Sequence, residues 1–256
     1  MKFDIITLTY NSEQTILDTL NSVENQKKVF VRHIILDGLS NDKTANIIKS
    51  YQNKNILFLK NKKGGVYKDL NKALKYCKNP IIGILHSDDT FYSSKTLEII
   101  KDKFKTTKAN VIYGDVVYVD RNSGKVIRNW IANSRKNSNE LSVNLDYNKM
   151  LKYGWMAPHT SLFIKREHLK KIGKYNENYS ISSDYDYIIR IFKNRHSKIC
   201  YIPKVFVKMK LGGISNKSLK NLIIKSLEDL IIIKKNKIGG LLTVFLKIFS
   251  KIKQFF

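Results

Sequence analysis

The chain has 256 residues with 43% hydrophobic content, three prolines and twelve glycines, which excludes a collagenous, low-complexity or wholly disordered polypeptide and predicts one large domain, or one with an appendage. Forty-seven Lys and Arg against 21 acids give a formal charge of +26, which calls for an anionic partner unless a general bias toward lysine spreads it without one. Cys77 and Cys200 stand far apart with no Cys-x-x-Cys spacing, so neither a thiolate metal site nor a disulfide scaffold is expected, and the compartment reads as reducing.

The first apolar run contains Asp4 and no small-residue cleavage site follows it, so no secretory signal is expected. No run of eighteen apolar residues follows, so nothing is expected to span a bilayer. Residues 3–9, 32–36, 56–59 and 81–85 are β-branched-rich runs of strand length, and residues 12–25, 42–52 and 66–78 between them have helical patterning. This βαβαβαβ order predicts a mostly parallel sheet with right-handed crossovers, in which ligands bind where the strands end. Polar residues gather at those ends: Thr9-Tyr10-Asn11, Asp37-Gly38 and Ser87-Asp88-Asp89.

A helix over 93–104 precedes a hairpin of 111–120 and 125–130, joined by the turn residues 121–124. Residues 133–148 read as a loop or mobile flap, 161–164 and 200–207 as strands, and 183–194 as a helix. The composition changes again after about residue 212, so residues 1–212 are read as one domain and 213–256 as a basic helical tail. In 219–233 the residues Leu222, Ile223, Leu227, Leu230 and Ile231 recur at helical spacing beside Lys220, Lys225 and Lys234. In 241–256 the residues Thr243, Lys247, Ser250, Lys251 and Gln254 share one face, and Leu242, Phe245, Leu246, Phe249, Ile252 and Phe256 fill the rest. That is the pattern of a helix lying in an anionic bilayer interface; the competing reading packs it on the preceding domain or on another subunit.

Asp88-Asp89 directly follow a buried-strand run, where two adjacent carboxylates are costly unless a cation meets them. Mg²⁺ or Mn²⁺ fits hard oxygen ligands of this kind, and a simple helix cap is the plainer reading. Asp37 is placed to accept hydrogen bonds from a ligand ring or sugar, whereas Asp42 reads as a cap. No Gly-x-Gly-x-x-Gly follows the first strand and no P-loop motif occurs, so neither of those nucleotide sites is supported.

In order, Thr9-Tyr10-Asn11, Asp37-Gly38-x-Ser40-x-Asp42-x-Thr44, His86-Ser87-Asp88-Asp89 and Ser183-Asp184-Tyr185-Asp186 with Arg190 resemble the family 2 glycosyltransferases of GT-A fold. The likeness covers roughly residues 1–210 and is nearest to small bacterial enzymes that build surface polysaccharides. It implies an α/β fold with a Rossmann-like, mixed but mostly parallel sheet flanked by helices, followed here by the amphipathic tail. It also implies inverting transfer of a sugar from a nucleotide-sugar, most often a UDP-sugar, to a glycan or lipid-linked acceptor in capsule, O-antigen or exopolysaccharide synthesis, with Mn²⁺ or Mg²⁺ as cofactor.

By position, Thr9, Tyr10 and Asp37 line the nucleobase pocket with Asn11 beside them, Asp88 contacts ribose, Asp89 ligates the metal and Asp184 is the base. His159, in the stretch Gly154-Trp155-Met156-Ala157-Pro158-His159, is assigned to the metal, the diphosphate or the acceptor, with a structural role as the alternative. Trp155 is read as stacking on a sugar or filling the core, and Asp186 as a support or a salt-bridge partner of Arg190. The family often has acids where this chain has the 62–67 loop and Lys68, so Lys62, Lys63 and Lys68 are read as grips for a diphosphate or a phosphorylated acceptor, while Asn71 matches as a structural group. The expected setting is the cytoplasmic face of the bacterial inner membrane, attached peripherally to an anionic surface, with a homo-oligomer left open. A catalytically altered relative and a basic nucleic-acid-binding protein are the alternatives. The second rests only on charge and abundant Tyr and Phe, and acids converge where it needs bases.

Overall fold

The computed structural model describes residues 1–51, 53–62, 64–133, 145–211 and 219–252. The first half is built as the sequence predicts. Strands β1 (Lys2–Thr9), β2 (Phe30–Asp37), β3 (Ile56–Lys60) and β4 (Ile81–Ile84) alternate with helices α1 (Ile16–Glu24), α2 (Thr44–Ser50) and α3 (Val66–Leu74). In the sheet they lie in the order β3-β2-β1-β4, all parallel. Successive residues such as Ile5 and Ile6, or Ile34 and Ile35, are fully buried on opposite faces of the sheet, which is why these strands read as unbroken apolar runs.

The second half is mixed in direction. It comprises β5 (Thr90–Phe91), α4 (Thr96–Thr106), β6 (Val111–Val119), β7 (Val126–Trp130), α5 (Tyr147–Lys152), β8 (Leu162–Lys165), α6 (Arg166–Ile172), α7 (Ser183–Lys193) and β9 (Ile199–Lys210). The sheet continues from β4 as β8-β6-β9-β5, with β7 hydrogen-bonded to β6 as the expected hairpin. β8 runs antiparallel to both β4 and β6, whereas β9 is parallel to β6. At the β4–β8 junction a Cβ on Gly83 would lie 2.5 Å from the Phe163 ring, so only glycine admits that ring over the sheet. Helices α1, α2 and α4 cover one face; α3, α5 and α7 cover the other. Most of the segment read as a loop or flap over 133–148 lies outside the described residues, and its end is the start of α5.

The tail forms α8 (Leu219–Lys235) and α9 (Leu241–Ile252); Gln254 and Phe256 lie outside the described residues. Ile232, Ile233, Ile238 and Val244 are buried in the main core. The orientation of α9 corrects the expectation of a lysine-bearing face turned to water. Thr243 and Lys247 are buried against the body, and Leu241, Leu242 and Phe245 are 73%, 70% and 63% exposed. The helix docks through its polar side because Lys247 finds Asp229 at 2.8 Å and Thr243 donates to the Lys152 carbonyl at 2.9 Å.

Candidate active site

The registers Thr9↔Asp37 and Ile6↔Ile84 bring the ends of β1, β2 and β4 to one edge of the sheet. The loops leaving that edge are stitched to each other. The Asn11 N–H donates to Ser40 Oγ at 2.9 Å, Asn11 Oδ1 accepts from the Asn41 N–H at 3.1 Å, and the Ser12 N–H donates to Thr44 Oγ1 at 2.7 Å. The Ser12 and Ser87 hydroxyls meet at 2.9 Å. Asn11 and Leu39 hold positive φ (50° and 61°) at these turns. Asp37, fully buried, accepts from the Ser40 N–H and hydroxyl. Tyr10 stands exposed at the rim, and Lys62 and Lys68 are exposed beyond it; Lys63 lies outside the described residues.

Among the described residues, two buried oxygens at this edge have no hydrogen-bond partner: Thr9 Oγ1 and Asp89 Oδ2. Asp89 is 2% exposed, and burial, then the charge of Asp88, pushes its carboxyl well above the usual carboxylate range, opposed by the Lys210 backbone N–H and ammonium. Asp88 is more open and faces Arg121 Nη2 at 3.5 Å. His86 sits between the acidic groups: burial lowers its pKa while Asp88 and Asp184 both pull it upward. Its ring lies 6.1 Å from that of His159, whose pKa burial lowers to about 4 although Asp184 opposes the shift. Both imidazoles are therefore neutral at pH 7.

Asp184 enters this cluster from the first turn of α7. Its Oδ1 accepts from the Tyr67 hydroxyl at 3.3 Å and from the Tyr185 N–H at 2.8 Å. Tyr67 stacks on Tyr175, Tyr175 stacks on Tyr187, and the Tyr175 hydroxyl meets His159 Nε2 at 2.8 Å. The groups around His86 thus come from the β4 end, the turn before β8 and the start of α7. Among the described residues no three His, Cys, Asp or Glu side chains converge on one point. The orphaned Asp89 Oδ2 nevertheless fits a hard divalent ion of the kind that takes one or two carboxylates and leaves its other positions to phosphate and water.

Residues 4–173 match the model of the glycosyl transferase family 2. The chain belongs to this family. Over 220 residues it is 28% identical to an uncharacterized glycosyltransferase of Methanocaldococcus jannaschii, covering 83% of this chain and 71% of the relative. A PGL/p-HBAD biosynthesis glycosyltransferase of Mycobacterium tuberculosis is 25% identical over 219 residues, covering 84% and 79%. The Staphylococcus aureus poly(ribitol-phosphate) β-N-acetylglucosaminyltransferase TarS is 35% identical over 103 residues, but these cover 38% of this chain and only 18% of TarS. Crystallised TarS 1–349 superposes with a TM-score of 0.70 at 22% identity over 98% of this chain and 72% of that one. The full TarS crystal chain is spanned to 40%. The Pyrobaculum calidifontis mannosyltransferase PcManGT, solved with GDP-Man and Mn²⁺, gives 0.63 at 14% identity over 95% and 68%. These structures establish a shared GT-A fold.

Within this family 2 glycosyltransferase the remaining sequence-derived residues take supporting places. Trp155 takes the second of its two expected places, half-buried against the core: it packs with Tyr113, Tyr147 and Phe192, and its indole N–H donates to the Ala132 carbonyl at 2.6 Å. Asn11 spends its side chain on the neighbouring loop. Asp186 is buried in an ion pair with Arg190 at 2.9 Å, and Arg190 also donates to the Ile172 and Lys174 carbonyls, which makes the pair a clamp on α6. Asn71 accepts from the Tyr175 N–H and donates back to its carbonyl, holding that tyrosine in place. Sequence reasoning missed Tyr67, Tyr175, Arg121 and Asp69. Asp69 ties the 61–65 loop down through Asn61 and the Gly64 N–H. Tyr67 ends the 62–67 stretch, but its partner Asp184 stands 117 residues away and leaves no local signal.

Proposed function

We propose that the chain is an inverting glycosyltransferase that moves one sugar from a nucleotide-sugar, a UDP-sugar first among candidates, to a glycan or lipid-linked acceptor in surface-polysaccharide synthesis. The observation that supports this reading is the chain of contacts from the β4 end to α7: the His86 ring lies 6.1 Å from that of His159, His159 Nε2 meets the Tyr175 hydroxyl at 2.8 Å, Tyr175 stacks on Tyr67, and the Tyr67 hydroxyl reaches Asp184 Oδ1 at 3.3 Å. Buried Asp37 and the unpartnered Thr9 hydroxyl offer acceptors and a donor for a nucleobase, and Asp88 for ribose. Asp89 would hold Mn²⁺ or Mg²⁺, with His159 as the second candidate ligand. That ion supplies electrostatic stabilisation of the departing diphosphate. Asp184 accepts the proton of the attacking acceptor hydroxyl, and the Tyr67 hydroxyl and Tyr185 N–H on Oδ1 leave Oδ2 for that task. The related TarS has been crystallised with UDP-GlcNAc, which supports testing that donor first.

The setting belongs to the same proposal. No helix among the described residues is long and apolar enough to cross a membrane. α8 and α9 nevertheless turn Leu222, Ile223, Leu227, Leu241, Leu242 and Phe245 outward beside exposed Lys220, Lys234 and Lys235, which supports a peripheral seat on an anionic, cytoplasmic-face bilayer. Incubation with a panel of nucleotide-sugars and Mn²⁺ or Mg²⁺ tests the activity. Release of a nucleoside diphosphate that needs the ion and is lost in Asp184→Asn supports the reading, and a chain that binds no nucleotide-sugar overturns it.

A further inference from the structure

The tail helices reach further into the active region than a membrane anchor requires. Glu228 of α8 places its carboxylate against the strand of chain that leads into α7. Oε1 accepts from the Ser180 N–H at 2.6 Å and the Ser180 hydroxyl at 2.8 Å; Oε2 accepts from the N–H groups of Ile181 at 2.9 Å and Ser182 at 2.8 Å. These donors precede the first turn of α7 and have no partners within that helix, so one carboxylate serves as its cap from outside. Burial pushes the Glu228 carboxyl up, but the three N–H groups and the hydroxyl outweigh it and hold the group below the usual range. On the other side of the same short segment, the Tyr67 hydroxyl donates to the Ile181 carbonyl and to Asp184 Oδ1. Residues 180–182 are thus gripped from α8 through their N–H groups and from α3 through a carbonyl.

α9 supplies a second contact. The Lys247 ammonium is paired to Asp229 at 2.8 Å, with both side chains buried, and lies 3.2 Å from the centroid of the Tyr185 ring, one residue after Asp184. The backbone of Lys247 also passes so close to Gly154 that a Cβ there would lie 2.4 Å from the Lys247 nitrogen; φ at Gly154 is +80°. Gly154 opens the stretch that carries His159. The two tail helices therefore touch both chain segments that enter the His86 cluster from the far half of the fold.

We infer that Glu228 is a positioning residue for Asp184, assisted by the Lys247–Asp229 pair, so that the tail is a working part of the catalytic site. The inference rests on the reading of Asp184 as the base. In the full chain, Glu228→Gln keeps the size of the side chain but loses the charge and half of the acceptor set, and Glu228→Ala loses both. In each, turnover falls about tenfold or more, as expected when a base is displaced by a fraction of an ångström, and least in the Gln variant. Nucleotide-sugar affinity measured by calorimetry stays within about twofold, because the donor contacts lie at the β1, β2 and β4 ends. Hydrogen–deuterium exchange of the amides of residues 180–187 rises in both variants. A purely structural role would lower melting temperature and donor affinity together and leave the turnover of folded protein intact; that result overturns the inference. Unchanged exchange over 180–187 overturns it as well, whatever the activity. If exchange rises in the variants while the wild-type chain transfers no sugar from any donor, the buttress stands and the reading of Asp184 fails.

Discussion

Two buried acids at opposite edges of the parallel sheet, Asp4 and Asp89, are partnered in opposite ways. At the edge where strands begin, Asp4 is fully buried and fully answered: Arg32 Nε at 2.9 Å, the N–H groups of Lys78 and Asn79 at 2.6 and 2.7 Å, and Asn79 Nδ2 at 2.8 Å. At the edge where strands end, Asp89 is 2% exposed yet one of its oxygens has no partner among the described residues, and a second carboxylate precedes it in the chain. A buried carboxylate with partners on both oxygens can serve as a structural tie, whereas one left incomplete beside a second acid has room for a partner other than protein. Burial alone therefore does not distinguish the two; the inventory of partners does.

Substitutions can break this contrast. The largest expected effect is on turnover. Asp184→Asn removes the general base and lowers kcat by about 10²- to 10⁴-fold in a nucleotide-sugar assay, with the melting temperature nearly unchanged. Asp4→Ala should do the reverse, costing about 3–5 kcal/mol in denaturant unfolding because Arg32 and two backbone N–H groups lose their acceptor, while kcat of the folded fraction survives. Gly154→Ala, forced against the Lys247 backbone at positive φ, should cost about 1–3 kcal/mol by the same measurement. Asp89→Asn should raise the stability of the metal-free protein by about 1 kcal/mol, since it removes a buried charge and keeps an acceptor for the Lys210 N–H. If it destabilises as Asp4→Ala does, the two edges are alike and the contrast is wrong.

The smallest effect concerns pH. The folded Glu228 carboxyl is held below its ordinary value. Its contribution is therefore present above the unfolded-state pKa of about 4.3 and is lost as pH falls through the lower folded value. Glu228→Gln should flatten the acid limb of a melting-temperature profile and leave the limb above pH 6 parallel to wild type.

What the sequence made legible follows from the range of the interactions. The strands of the first half and the helices between them announce themselves through unbroken β-branched runs and local periodicity, and the acids at their ends mark the ligand edge. β5 has two residues and exists only because Thr90 pairs with Lys208 across the sheet, so no local pattern reveals it. α6 carried a usable signal, Gly173 at φ +87° closing it, that composition alone obscures. The direction of β8 depends on partners in β4 and β6 that are distant in the chain. In the tail, periodicity located α9, but which face meets the protein was decided by Asp229 on another helix and by the Lys152 carbonyl. Trp155 stayed open between two readings for a related reason: an aromatic beside a candidate site looks the same in sequence whether it meets a sugar or Phe192.

Crystals grown with uridine diphosphate and Mn²⁺ provide the most direct measurement, because anomalous scattering locates the ion without reference to any assumed role. The account predicts a manganese peak at coordination distance from the Asp89 carboxylate, with diphosphate density between it and the His86–Asp184 side of the cleft. A peak elsewhere, or nucleotide bound away from Asp37, Asp88 and Asp89, would contradict it.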